Sequence, residues 1–154
     1  MNTLVIKSEI TICQLNELSP KEQSLIQSSH EALDLSHSPY SNFKVGCAIR
    51  LEDGTIVKGA NQENAAYPMC LCAEGVTLAS VASQHPHVKI VDVAIHVPID
   101  TPASPCGYCR QSFKEYEVRM KKKFNFYLVG QEDIYVFKGI DTILPLAFSS
   151  DDLK

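Results

Sequence analysis

Two short segments of the sequence place thiols and a carboxylate close together. The first, "CLCAEG", begins at Cys70, and the second, "SPCGYC", ends at Cys109. Helix-forming residues follow Cys72, and a second helix is predicted to begin near Cys106. Thiolates are favoured at helix N-termini, where free N–H groups and the positive end of the helix dipole lie. Cys72, Cys106 and Cys109 can therefore bring three thiolates to one ion.

Zinc suits such a set of sulfur ligands. It binds soft sulfur tetrahedrally, and three protein ligands with a water molecule in the fourth position are typical of a catalytic site. Glu74 follows Cys72 by two positions and is the natural carrier of protons to and from that water. The pattern predicts a site at which a metal activates water for nucleophilic attack.

The same residues allow simpler interpretations. "CGYC" at the start of a helix is similar to the redox pair of thioredoxin-like proteins, although a redox pair explains neither Cys72 nor Glu74. Taken alone, Cys72 is more often a buried small apolar residue, and Glu74 a carboxylate that favours the helix dipole. These alternatives stay open at the level of single residues, and it is the combination that favours zinc.

Composition limits the class of protein and of partner. The 154 residues are 45% apolar and 21% charged, which is typical of a soluble globular domain. A net charge of −4 gives no attraction to nucleic acid. The chain contains neither a long apolar run nor the basic start of a signal peptide. We expect a cytoplasmic protein with a small-molecule substrate, no nucleic-acid partner and no membrane partner, whose cysteines stay reduced.

Periodicity and turn signals predict alternating helices and strands. The capping box at Ser19 predicts a helix to about Leu35, and Asp53-Gly54 predicts the turn of a β-hairpin between Phe43–Leu51 and residues 56–61. Beyond it we expect a helix from Cys72 to about Ser83, a central strand over Val88–Val97, a helix from Cys106 to about Met120, and strands over 124–130 and 134–139. This alternation predicts a single-domain α/β sandwich around a sheet.

The combination of C-A-E with P-C-x-x-C resembles the zinc-dependent cytidine deaminases, specifically the small homotetrameric kind. The similarity covers most of the chain, from "SPYSNFKVG" through "GANQENAAYPMCLCAEG" and "SPCGYCRQ" to "ILPLAFSSDDL". It implies one deaminase-like domain over residues 1–154, with an N-terminal extension over 1–18 and a motif-bearing core over 38–148. The implied fold is a three-layer α/β/α sandwich around a mixed sheet of about five strands.

The resemblance also assigns roles to residues at matching positions. It implies one zinc ion per subunit, held by Cys72, Cys106 and Cys109, and proton transfer by Glu74. It implies that Phe43 packs against the substrate and that Asn61 and Glu63 bind the ribose. It also implies that Phe148 reaches a neighbouring subunit's active site and stacks on the base.

Four of these residues have simpler interpretations. Phe43 fits the protein core, Asn61 and Glu63 fit an ordinary polar loop after a hairpin, and Phe148 fits an aromatic anchor for the C-terminal tail.

The activity implied is hydrolytic deamination of cytidine and deoxycytidine to uridine and deoxyuridine plus ammonia, in pyrimidine nucleoside salvage. Within the same superfamily the alternatives are a deaminase of another cytosine nucleoside, such as the blasticidin S enzymes, or an editor of polynucleotides. From a different class, a thiol-disulfide oxidoreductase would need Cys106 and Cys109 alone.

One position departs from the family pattern. Members commonly carry arginine directly after C-A-E, where it contacts the ligand sulfurs, whereas this chain has Gly75. Three thiolates leave Zn²⁺ with a net charge of −1, so a compensating group is expected. The helix N-termini supply part of that compensation, and Arg110, directly after Cys109, is the nearest cation in sequence.

Overall fold

The fold is a mixed sheet with helices on both faces, and the computed structural model describes residues 1–153. The sheet has the spatial order β1-β6-β5-β4-β2-β3, in which only β4 and β5 are parallel neighbours. The strands are β1 (Thr11–Cys13), β2 (Gly46–Leu51), β3 (Ile56–Ala60), β4 (Ile90–His96), β5 (Asn125–Val129) and β6 (Ile134–Lys138), and the helices are α1 (Pro20–Ala32), α2 (Ala73–Gln84) and α3 (Gly107–Met120).

Two hydrophobic cores cover the two faces of the sheet. On one face Leu25 and Ile26 of α1 belong to a cluster that includes Ala94 of the central strand β4. On the other face Val81 of α2 and Phe113 of α3 share a larger cluster with the neighbouring strand residues. Alternate residues of a strand point to opposite faces, so β4 contributes to both cores. The predicted three-layer α/β/α sandwich is confirmed.

The sheet has six strands where about five were expected, because the N-terminal extension supplies one. Strand β1 pairs antiparallel with β6, with Ile12 opposite Tyr135. It spans only Thr11–Cys13, which is shorter than the run of about four to eight residues from which a strand is normally recognised. The part of the chain predicted as an extension therefore forms an edge of the sheet.

Helix α1 begins as the capping box predicts. The backbone N–H of Ser19 donates to Glu22 Oε2 at 2.8 Å, and the N–H of Glu22 donates to Ser19 Oγ at 3.4 Å. The α-helix ends at Ala32, and the predicted extension to Leu35 is a 3-10 turn.

A buried ion pair joins strands β2 and β4, and its arginine also contacts α1. Arg50 of β2 donates through Nη1 to Asp92 Oδ2 of β4 at 3.1 Å, and both side chains are less than one tenth exposed, at 4% and 7%. Asn125 Nδ2 donates to the other oxygen of Asp92 at 2.8 Å, and Arg50 Nη2 donates to the carbonyl of Lys21 in α1. These contacts link three strands and one helix.

None of the helices within residues 1–153 is long and apolar enough to cross a lipid bilayer.

Replacing Asp92 with alanine should lower the free energy of unfolding by about 3–5 kcal/mol, because the Arg50 charge would stay buried without its partner. The matched control is Lys58→Ala, which removes a solvent-exposed ion pair with Glu31 and should cost about 1 kcal/mol or less. Urea denaturation of both variants measures the difference. Equal losses in the two variants would show that the buried pair contributes no more to stability than an exposed one.

Candidate metal centre

The three cysteines singled out by their spacing come together at the N-termini of α2 and α3. Cys72 is the N-cap of α2, Cys106 is the N-cap of α3, and Cys109 lies in the first turn of α3, as predicted. Their Sγ atoms all lie within 4.8 Å of one another. Two helices on the same face of the sheet thus present their positive ends and three sulfurs at one point.

The spacing of the sulfurs fits a zinc ion. Tetrahedral zinc with Zn–S bonds of about 2.3 Å places its sulfur ligands about 3.8 Å apart. The Sγ atoms of Cys106 and Cys109 are 3.8 Å apart, well beyond the length of a disulfide bond. Cys70 lies outside the cluster, and its Sγ accepts the backbone N–H of Asn64 at 3.2 Å. The sulfur that joins Cys106 and Cys109 in this group is thus that of Cys72 rather than Cys70.

The electrostatics of the cluster call for a cation. Burial raises the pKa values of the Cys72 and Cys109 thiols, and the nearby Glu74 carboxylate raises them further. At Cys106 the backbone N–H of Cys109, followed by that of Tyr108, outweighs burial and lowers the pKa of the thiol. Three thiolates beside a carboxylate repel one another, so a bound metal ion is what makes this charge state favourable.

Glu74 is buried in the first turn of α2. Only 5% of the residue is exposed, and burial raises the pKa of its carboxyl group. It lines the same cavity as the three cysteines. A buried carboxyl group whose pKa is raised, beside an ion site, is a candidate for proton transfer.

The cavity above the sulfurs has a volume of about 330 Å³, which suits a small molecule. Phe43, Asn61 and Glu63, for which the resemblance implies substrate contacts, line it. Sequence reasoning missed several further lining residues, of which Ile95 and Val97 follow from the alternation of β4 once the orientation of the strand is known. The missed residues include Val45, Gln62, Leu71, Ile95, Val97, Ala103 and Ser104.

Phe148 lies outside this cavity lining. Its side chain is 59% exposed, and its backbone carbonyl accepts a hydrogen bond from Gln111 Nε2 at 2.9 Å. The alternative that Phe148 anchors the tail to the core of its own chain is inconsistent with this exposure.

Asn61 fixes the loop that carries Phe43. Its Oδ1 accepts from Val45 N at 2.9 Å and from Ser36 Oγ at 2.7 Å, and its Nδ2 donates to the carbonyl of Phe43 at 2.8 Å. These side-chain bonds hold the segment before β2. The strand therefore begins at Gly46, whereas the sequence predicted a start at Phe43. An amide nitrogen has two N–H donors, and one of them stays free for a ligand.

Glu63 holds the same loop from the other side. Its Oε2 accepts the backbone N–H of Tyr40 at 2.8 Å and of Ser41 at 3.2 Å, and its Oε1 accepts the Ser41 hydroxyl. The hydroxyl of Ser41, followed by the N–H of Tyr40, lowers the pKa of the Glu63 carboxyl, so the group is anionic at neutral pH. Asn42, between these contacts and Phe43, has a positive φ of 56°.

Arg110 does not contact the sulfurs, contrary to what its position in sequence suggested. Its guanidinium donates to the carbonyl of Pro105 at 2.7 Å, to the carbonyl of Ile143 at 2.7 Å and to Ser104 Oγ at 3.0 Å. It therefore fixes the loop before α3. A Cβ atom placed on Gly75 would meet nothing within 4 Å, so the position of the family arginine is open space within residues 1–153.

Substitution of Cys72 with alanine should reduce bound zinc to well below one ion per chain, because two thiolates hold the ion much less firmly than three. Cys70→Ala is the matched control, two positions away and lining the same cavity, and it should retain the wild-type zinc content. Atomic emission on purified protein measures both. Loss of zinc in the Cys70 variant with retention in the Cys72 variant would reverse the assignment.

Comparison with known proteins agrees with this geometry. Residues 19–124 match the family described as "Cytidine and deoxycytidylate deaminase zinc-binding region". A cytidine deaminase of Halalkalibacterium halodurans is 34% identical, over 86% of this chain and 97% of its own length, and one of Sporosarcina psychrophila is 35% identical over 86% and 94%. The crystal structure of cytidine deaminase from Burkholderia pseudomallei superposes with a TM-score of 0.73 at 34% identity, covering 81% of this chain and 97% of that one. With its three convergent cysteines and its buried glutamate, this chain belongs to the zinc-binding cytidine and deoxycytidylate deaminase family.

Proposed function

We propose that the protein deaminates cytidine and deoxycytidine by hydrolysis, releasing ammonia and forming uridine and deoxyuridine. The observation that carries this proposal is the buried Glu74 beside three sulfurs that fit zinc, in a cavity of about 330 Å³. The cytidine deaminases to which the chain is similar support the choice of substrate.

The residues of the site divide the chemistry between them. Zinc held by Cys72, Cys106 and Cys109 would lower the pKa of a coordinated water and so supply the nucleophile for C4 of the base. The Glu74 carboxylate takes one proton from that water and delivers it to N3 of the base. It then takes the second proton, from the hydroxyl group added at C4, and delivers it to the departing amino group, which leaves as ammonia as the C4 carbonyl forms. Glu74 is ionised again after each delivery, so one residue serves as base and then as acid in both transfers. Its burial keeps bulk water from competing for these protons.

Substrate positioning falls to the loop over residues 38–45 and to the residues that hold it. The free N–H of Asn61 and the Glu63 carboxylate are matched to a sugar diol, since one donates and the other accepts. Phe43, which is 39% exposed, packs against the substrate. Polar groups matched to a diol discriminate against analogues that leave them unpaired.

We further propose that the chain assembles as a homotetramer and that Phe148 completes the active site of a neighbouring subunit. The exposed Phe148 side chain supports this, as do exposed Tyr67 and Met69 in the segment leading to Cys72. Large apolar side chains grouped beside a cavity are typical of a surface that another protein covers.

The cellular role we propose is pyrimidine nucleoside salvage in the cytoplasm, by a single domain over residues 1–154. Six unpaired cysteines within the described residues suit a reducing compartment. The net charge of −4 and the Asn61–Glu63 pair favour a free nucleoside over a polynucleotide.

Changing Glu74 to glutamine should lower kcat for cytidine by about 10²–10⁴-fold while zinc stays bound, because the amide cannot carry the proton. The matched control is Glu115→Gln on the exposed side of α3, which should leave kcat unchanged. The loss of absorbance on conversion to uridine measures the rate. A Glu74 variant that deaminates cytidine at the wild-type rate would exclude the proton-transfer role of Glu74.

Mixing two inactive variants tests whether the active site is shared. Phe148→Ala and Glu74→Gln homotetramers should each be impaired, and subunit exchange between them should restore activity, because some sites would then combine Glu74 of one chain with Phe148 of another. A mixture of Glu74→Gln with Cys72→Ala is the control, since both changes affect residues that one chain contributes to its own site. No recovery in the first mixture after demonstrated subunit exchange would contradict a Phe148 contribution between subunits.

A further inference from the structure

A second cavity lies behind the metal centre, on the opposite side of strand β4. It has a volume of about 320 Å³ and is lined by His96, His30, Glu132 and apolar residues from α1, β5 and β6; we call it the His96 cavity. Ile95 and Val97 line the metal-centre cavity, whereas His96 and Pro98 line the His96 cavity. The two cavities are thus separated by the thickness of one strand, because successive residues face opposite sides of the sheet.

His96 is an unusual residue for a protein core. It is 8% exposed, and its Nδ1 is buried without a hydrogen-bond partner in the part of the chain that the structure describes. Its ring contacts the His30 ring edge-on, with centroids 5.1 Å apart. A buried polar atom without a partner is destabilising, and such atoms in native proteins call for an explanation such as a bound molecule.

Burial, followed by the neighbouring His30, lowers the pKa of His96 to about 4. The ring is therefore neutral at physiological pH and offers one N–H donor and one acceptor nitrogen.

The only charged side chain in the cavity lining, within residues 1–153 and apart from the histidines, is a carboxylate. It belongs to Glu132, while the neighbouring Gln14 uses its Nε2 to donate to Asp133 Oδ1 at 3.1 Å. Neither lysine nor arginine lines the cavity within residues 1–153. A phosphate or carboxylate ligand would therefore lack a counter-charge, whereas a ligand with N–H donors would be matched.

The apolar walls define the rest of the ligand. Ile26, Leu33, Val129 and Ile134 line the cavity, and the volume is in the range of small-molecule sites. From these features we propose that the His96 cavity is a second binding site for an uncharged, amino-substituted nitrogen heterocycle of nucleobase size. The amino group donates to Glu132, a ring nitrogen pairs with His96, and the flat ring packs against the aliphatic walls. This proposal is independent of the deaminase reaction and of the zinc ion.

Nitrogen-15 NMR of the histidine rings in the zinc-loaded protein tests the proposal, with adenine as the probe. The chain has five histidines, and single substitutions assign their signals. Adenine should shift the His96 and His30 signals in a saturable way, while His85 and His87, which lie beyond α2, stay unchanged. The absence of a saturable shift up to the solubility of adenine, or equal shifts of all the histidine signals, would overturn the proposal.

Two substitutions that leave the core intact test the chemistry of the site. Glu132→Gln, at an exposed position, should weaken adenine binding about tenfold, because a hydrogen bond to a charged acceptor is lost. Glu115→Gln, on the opposite layer, should leave the affinity unchanged. Equal affinities of the two variants for adenine would contradict the role of Glu132. Tighter binding of n-butylammonium than of adenine would overturn the heterocycle as the ligand class.

Discussion

Three sulfurs held within 4.8 Å of one another beside a buried carboxylate are the constraint on which the rest of the site depends. Such a group is unfavourable when it is fully charged, so the fold must supply compensating charge in a fixed place. Two helix N-termini do this in part, and a cation completes it. Helices α2 and α3 lie on one face of the sheet, and their N-termini bring Cys72 close to Cys106 and Cys109.

Around this point the protein uses the same residues for structure and for recognition. Asn61 and Glu63 make most of their hydrogen bonds to the loop that carries Phe43, and both residues also line the cavity. A substrate that engages them would therefore meet groups already fixed in position, which lowers the entropic cost of binding. Arg110 acts similarly on the loop before α3, through three hydrogen bonds that keep Ser104 and Pro105 in place.

Much of this arrangement could be predicted from the sequence, because local signals and long-range packing agree. The capping box at Ser19 and the turn at Asp53-Gly54 determine their elements through contacts a few residues apart. The start of β2 could not be predicted, since the side chain of Asn61, far along the chain, pairs with the backbone of Phe43 and Val45. The edge strand β1 was not predicted for the same reason, because its partner β6 lies near the other end of the chain.

The candidate site likewise combines features that local sequence predicts with features that depend on long-range contacts. Cys72, Glu74 and the Cys106–Cys109 pair follow from spacing, because helix starts place them directly. The hydrogen-bond partners of Arg110 could not be predicted from its position next to Cys109. Its side chain is long and flexible, and it donates to carbonyls of two separate loops rather than to the sulfurs. The His96 cavity also has no signature in sequence, since it forms only where α1 crosses the end of β4.

The zinc content of the purified protein, measured together with cytidine turnover on the same sample, decides whether the three cysteines form a zinc site that supports deamination. We expect about one zinc ion per chain and stoichiometric release of uridine and ammonia. A protein without zinc, in which Cys106 and Cys109 cycle between thiol and disulfide and cytidine stays unchanged, would contradict this expectation.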